Sequence, residues 1–430
     1  MLSSTIAVLP LALLASAQTD LAVGMRADTA IGSASRVLGP DGHNEPTVMA
    51  QAAPAAGLRM MDARTTVVLR YFPRLYLRYP NLADAARPLL FHWVGLSATH
   101  LLSPRVTWSL LSTAGQGEMD YSSSLVAASG QTAQANPPNI ATGTPQTTQT
   151  SQTAATSAAQ RLSVLRLRTL AASTTMGWQE SQRANMSLDL FTSGTAAAPG
   201  GLPLPNGTVW IVGSDMTQEF LVAPQDGTGL TLSYQHGYVE SAPQFDNASA
   251  TWNWAHQYSA TTQAALYAGF GVMRSYGRPL SGWPVAWITL QSTGFTERGF
   301  RRSLMLSSGV RTFVNTLVGT ATPMAFVQGS AIYDLESRWW FDALVGFQMP
   351  VSKGTTIDNS QLIMSLGNGQ LALHRRVGQN FVVDFGVRGY LFADSPVVSN
   401  PQILGTQIWA YVGFTWSEST RNDDAGAWVL

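Results

Sequence analysis

Apolar and polar positions alternate with a period of two through most of this chain. In TTVVLRYFPRLYLRYPN (65–81) the odd positions are Val67, Leu69, Tyr71, Pro73, Leu75, Leu77 and Tyr79, and the even ones include Arg70, Phe72, Arg74, Tyr76 and Arg78. Arginines four apart would also share a helix face, but Pro73 inside a helix would cost about 3 kcal/mol. On a strand, residues four apart stay on one side as well. The stretch therefore predicts a long strand with one dry face and one face bearing guanidinium groups. The same alternation recurs at Met186, Leu188 and Leu190, at Leu230, Leu232 and Tyr234, and at Trp252 and Trp254. It recurs again at Phe381, Val383, Phe385 and Val387, and at Ile408, Ala410, Val412, Phe414 and Trp416. Two stretches, 87–102 and 284–294, carry apolar residues on both sides.

Read in this way, the region 63–416 holds about sixteen strands, within a range of roughly 14–18. Many exceed the ~5–6 residues usual in globular proteins and match the ~9–11 of a tilted bilayer crossing. The links alternate in length. Ser103-Pro104, Gln179 to Gln182, Ser259 to Thr261 and Arg376 to Gln379 are short, whereas Gly194 to Gly207, Arg274 to Trp283, Pro350 to Ser360 and Ala393 to Pro401 are longer. A sandwich gives no reason for such alternation. A membrane barrel does, with short periplasmic turns and long outer loops. The predicted fold is all-β: a transmembrane antiparallel up-and-down β-barrel.

Composition supports an exported membrane protein. Only 12% of residues are charged, against about 25% in ordinary soluble domains. Thirteen tryptophans and twelve tyrosines supply residues that favour bilayer interfaces. Acidic and basic counts balance at 25 each, which excludes a basic surface for nucleic acid. With no cysteine, disulfides and thiolate chemistry are excluded too. Residues 1–17 read as a signal peptide: an apolar stretch leads to Ala15-Ser16-Ala17 before Gln18. Residues 18–62 read as a flexible periplasmic leader. The uncharged, low-complexity stretch 121–160 reads as a long loop, and 417–430 as a C-terminal tail.

If the dry faces meet lipid, the polar faces line the interior. Arg70, Arg74 and Arg78 then form an arginine ladder in the lumen, and Asp342, Asp384 and Arg388 fall on the inward sides of their strands. Cationic rings in a pore favour anions. Arginines that merely neutralise inward carboxylates are the plainer alternative. His100, His256 and His374 each precede a short turn, in HLLSPRVTWSLL, HQYSATTQAALY and HRRVGQNFVVDF, and they are too far apart in sequence and hairpin to suggest a metal site. No G-x-S-x-G or H-E-x-x-H motif occurs, so no enzyme is expected. No metal or other cofactor is expected either.

Together with the signal peptide and the late YVGFTW strand, these hairpins resemble those of bacterial outer-membrane β-barrel proteins. TTVVLRYFPRLYLRYPN, RPLLFHWVGLSATHLLSPRVTWSL and GEMDYSS also resemble barrels that partner periplasmic polysaccharide-export proteins. The first resemblance implies an outer-membrane location with lipid as a partner. The second implies a conduit for exopolysaccharide, with a periplasmic export protein as its partner. A passive channel for small solutes is the simpler form of this reading. Its alternatives are a structural or adhesive barrel with a plugged lumen and a surface loop, and an outer-membrane hydrolase.

Overall fold

The computed structural model describes residues 18–35, 44–79, 88–120, 164–199, 207–241, 243–277, 279–295, 299–315, 320–351, 365–393 and 405–419. The strands begin with β1 (Gln18–Ser35), β2 (Asn44–Met61), β3 (Thr65–Tyr71), β4 (Arg74–Tyr79), β5 (Leu89–Ser103) and β6 (Val106–Asp120). They continue with β7 (Val164–Ser181), β8 (Ala184–Ala197), β9 (Val209–Ala223), β10 (Asp226–Val239), β11 (Phe245–Ser259) and β12 (Thr262–Ser275). The remainder are β13 (Ser281–Phe295), β14 (Arg301–Asn315), β15 (Thr320–Glu336), β16 (Trp339–Pro350), β17 (Ser365–Val377), β18 (Phe381–Ala393) and β19 (Gly405–Ser419). All belong to one sheet in which every pairing is antiparallel, and β19 returns to pair with β1. Trp416 lies opposite Met25 and Trp409 opposite Gly32, so the sheet closes.

The arginine-bearing segment forms one stave in two pieces. β3 and β4 both lie between β2 and β5, with Tyr71 opposite Ala56 and Leu75 opposite Ala52. Four residues advance on each side, so no register slip occurs. In that register Pro73 falls opposite Pro54, and neither has an N–H to give the ladder. The 19 segments of the sheet, with β3 and β4 sharing one stave, thus make 18 staves.

The prediction of about sixteen strands is corrected by two. Residues 18–62 are not a leader: β1 and β2 form a full hairpin that bridges β19 and the β3–β4 stave. The pattern was present, since Leu21, Val23, Met25 and Ile31 alternate with Asp20, Ala22, Gly24, Arg26 and Asp28. Alanine and glycine blunt its contrast. The expected tail also begins later than 417, because β19 runs to Ser419. The signal peptide at 1–17, the loop at 121–160 and residues 420–430 lie outside the described residues.

Burial is inverted relative to a water-soluble protein. Leu21, Ile31, Leu77, Val222, Phe270, Ile288, Val345, Leu371 and Val412 are exposed, whereas Asp20, Asp28, Thr251, Asn253, Asp384 and Arg388 are buried. Soluble surfaces rarely carry contiguous apolar patches beyond a few hundred Å². A girdle of this kind needs lipid against it. Among the described residues no helix is long and apolar enough to cross a membrane.

The two rims differ as expected. On the short-turn rim, Ser103 Oγ accepts from Arg105 N–H, Ser181 Oγ from Arg183 N–H and Ser259 Oγ from Thr261 N–H, one turn solution used three times. Asp62 accepts the Arg64 and Thr65 N–H groups at 2.7 and 2.6 Å between β2 and β3. Those backbone donors, that of Arg64 foremost, hold its carboxyl below the usual range. The long loops leave from the opposite rim.

Deletion of Gln18–Met61 leaves β19 and the β3–β4 stave each with one open edge, so the shortened chain is expected to lose the mobility difference between unheated and boiled samples in SDS gels. A truncated barrel that still shows this difference would contradict closure through β1.

Candidate functional site in the barrel interior

The interior has a polar sector centred on the strand pair that closes the barrel. Asp20 and Arg59 face each other across β1 and β2 in an ion pair of 2.9 Å. Eight residues along β1, Asp28 takes a hydrogen bond from the Gln51 side chain and an ion pair of 3.5 Å from Arg388 on β18. The Arg388 guanidinium also stands 5.2 Å from the centre of the Tyr411 ring on β19. Asp28 and Arg388 have side chains only 4% and 7% exposed. One group of polar and cation–ring contacts therefore joins the first strand, its hairpin partner and the last two strands.

Beside it, His374 on β17 holds Asp384 of β18 at Nδ1 and Asp342 of β16 at Nε2. Trp340 stacks on the imidazole at 4.9 Å. The structure thus brings together three of the predicted inward residues, Asp342, Asp384 and Arg388, in one sector. The histidine that links two of them was assigned no such role from sequence. His100, His256 and His374 do sit at the same distance from the short-turn rim. Only His374 faces inward; His100 bonds Thr65, and His256 bonds Asp226 between Trp254 and Tyr258, on the outer side.

The arginine ladder lies next to this sector. Arg70 is opposite Gly57 and Gly95, and Arg74 is opposite Phe91, all on the inward row. Arg78 occupies the same row opposite Met49; its side chain lies outside the described residues. Among the described residues neither Arg70 nor Arg74 has an ion pair, in contrast to Arg388.

The opposite wall is apolar. Val209, Ile211, Val239, Phe245, Met273, Trp283 and Val285 sit on the inward rows of β9 to β13 toward the long-loop rim, and Ala321 of β15 joins them. Next to them, Phe313, Met324 and Phe326 pack with Trp287, and the Arg311 guanidinium lies 4.7 and 4.4 Å from the centres of Phe313 and Phe326. β11 and β15, with three strands between them in the sheet, also approach each other. Assigning every apolar face to lipid missed this wall. Its signal was the stretch 284–294, apolar on both sides, where Val285 and Trp287 face in and Ile288 faces out.

Among the described residues no group of three His, Cys, Asp or Glu side chains is placed to hold a metal ion. The arrangement offers a charged path beside an apolar one.

The closed sheet, the apolar girdle and the unequal rims define the class: a transmembrane β-barrel of the bacterial outer-membrane type. No family model and no curated protein matches the sequence. Similar solved structures include OpdO of Pseudomonas aeruginosa, with 10% identity over 94% of this chain and 98% of that one and a TM-score of 0.44. The outer membrane protein opdK from Pseudomonas aeruginosa has 10% identity over 94% and 99% and a TM-score of 0.43. OccAB4 of Acinetobacter baumannii has 8% identity over 94% and 99% and a TM-score of 0.44. At such values the likeness decides nothing further, and the assignment rests on the strand pairing of this chain.

Removing one partner of a buried ion pair costs about 3–5 kcal/mol, because the other charge is left uncompensated. Asp28→Ala is expected to lower stability by about that amount, measured by urea unfolding in lipid vesicles. Asp28→Leu combined with Arg388→Met is expected to recover much of the loss.

Proposed function

We propose that this protein is an outer-membrane channel for small solutes, in which the inward arginines of the β3–β4 stave bias passage toward anions. The observation that carries this reading is the contrast between arginines. Arg388 is tied to Asp28 and Tyr411, whereas Arg70 and Arg74 stand on an inward row with no carboxylate partner among the described residues. Arg78 belongs to the same row and joins the proposal. Asp342 and Asp384, each held by His374, set the charge of the neighbouring sector.

Barrels of 16–18 strands leave room for an aqueous channel. Apolar side chains on the inward rows of β9 to β15 take up part of that room, which favours a small solute over a polymer. Among the described residues no feature of the interior supports exopolysaccharide passage or a periplasmic export partner. The adhesive reading rested on the loop at 121–160, which the described residues do not include. An anion with an apolar body would meet arginines on one side and the Phe245–Trp283 wall on the other.

In planar bilayers the purified chain is expected to conduct, with a reversal potential under a salt gradient that indicates anion preference. Arg70→Glu with Arg74→Glu is expected to lower the anion-to-cation permeability ratio by up to about fivefold, the factor matching the ~1 kcal/mol of a close charge pair in water. A folded barrel that passes no current sinks the channel reading, and an unchanged ratio in the double variant sinks the role of the arginines.

A further inference from the structure

The lipid-facing side of β5 to β7 carries a patch of hydrogen-bond donors at the edge of the apolar girdle. His92, Gln116 and Arg168 lie opposite one another in register on three successive strands, and all three are exposed. Their chain neighbours Phe91 and Leu167 are buried on the inward rows, so the three side chains point away from the lumen. Two residues nearer the long-loop rim, Glu118 lies opposite Arg166, whose Nε donates to its carboxylate at 2.5 Å. The Tyr71 ring stacks on His92 at 6.1 Å, and its hydroxyl stands 2.7 Å from Nδ1, which leaves Nε2 for another partner.

Strand length fixes the depth of this patch in the bilayer. Arg168 and Trp178 stand about ten residues apart on the outward row of β7, the length of one tilted crossing, with Leu170, Ala172, Thr174 and Met176 between them. Tryptophan favours the membrane interface. With Trp178 at the short-turn end, Arg168 falls at headgroup level on the other side. The long loops of such barrels face outward, which puts the patch in the outer leaflet. Its charge is unbalanced. Arg168 faces Gln116 and Ala196, and Glu118, the only carboxylate among the described side chains of the patch, is taken by Arg166. A second charged group at this level, on β10 to β12, is balanced by contrast: Asp246 lies opposite Arg274 and holds Tyr234 and His236 at 2.7 and 2.9 Å.

We propose that Arg168, Arg166, Gln116 and His92 bind the phosphate-bearing headgroup of an outer-leaflet lipid, whose acyl chains lie along Leu170, Ala114 and Val94. Gln116 is the centre of the site. His92 and Arg168 are its cross-strand neighbours and Arg166 is diagonal to it, with Cβ separations of about 5 Å and about 7–8 Å, so one phosphate is within reach of all four. The guanidinium fork matches two phosphate oxygens at once. Directly below the donors, Leu170 and Val94 are 38% and 43% exposed, an apolar surface that a lipid uses and a free phosphate does not. The site does not depend on the barrel conducting, because binding is read without current.

The test uses the full chain, refolded in detergent and mixed with lipid A, a diphosphorylated glucosamine lipid, with retention read by native mass spectrometry. Wild type is expected to keep one lipid per chain, and lipid A stripped of both phosphates is expected to bind about tenfold more weakly. Arg168→Gln is expected to weaken binding of the phosphorylated form about fivefold, whereas Arg105→Gln, on an exposed short turn, binds as wild type does. Should Arg168→Gln fail to refold, Gln116→Leu decides, with an expected loss of about threefold. Equal retention of the two lipid forms overturns the proposal, since the apolar girdle alone then holds the lipid. Unchanged affinity in the refolded patch variants overturns it, and so does an equal loss in Arg105→Gln. Displacement of the lipid by inorganic phosphate also overturns it, because the site is then one for the free anion.

Discussion

Closure of the sheet is the constraint on which everything else depends. In hydrocarbon an unpaired N–H or carbonyl costs several kcal/mol, so an open edge on either side of this sheet could not stay in a bilayer. The pairing of β1 with β19 removes both edges at once. The register of that pair places Asp28 and Arg388 close enough to interact, and a contact between residues 360 apart in sequence results. The seam is thus held both by backbone ladders and by buried charge. A buried ion pair adds little net stability in itself, because desolvation offsets the attraction, but its loss on one side is costly. Its stronger effect is on register, because a slip by one residue would turn Asp28 outward into lipid.

Inside the closed sheet, the chain divides its lumen. The sector from β16 round through β1 to β5 carries arginines, aspartates and His374, whereas β9 to β15 present tryptophan, phenylalanine and aliphatic side chains toward the long-loop rim. Both sectors come from strands whose other face is apolar, so the distinction lies entirely on the inward row. An apolar wall against a charged one makes the interior selective by chemistry as well as by width. Arg311 sits within the apolar sector, its guanidinium over two phenylalanine rings, a placement suited to its planar, weakly hydrated charge.

Much of this was legible from alternation alone. The strands from residue 65 onward, the inward side of the arginines and the unequal rims all follow from period-two patterning and link lengths. Legibility failed where the alphabet of the alternation weakened. In β1 and β2 alanine and glycine stand in for both partners of the pattern, and the hairpin passed as a leader. In β13 both faces are apolar, and nothing local distinguishes a side chain against lipid from one against a lumenal wall.

The sequence by itself determined the type of element, the face each strand offers and the class of membrane protein, because side-chain alternation is a local property of an extended backbone. Tertiary structure decided which inward residues meet. His374 finds Asp342 and Asp384 through two different neighbours, and Asp28 finds Arg388 across the seam. Those pairings depend on cumulative register round eighteen staves, a sum over every turn and slip that no single segment encodes.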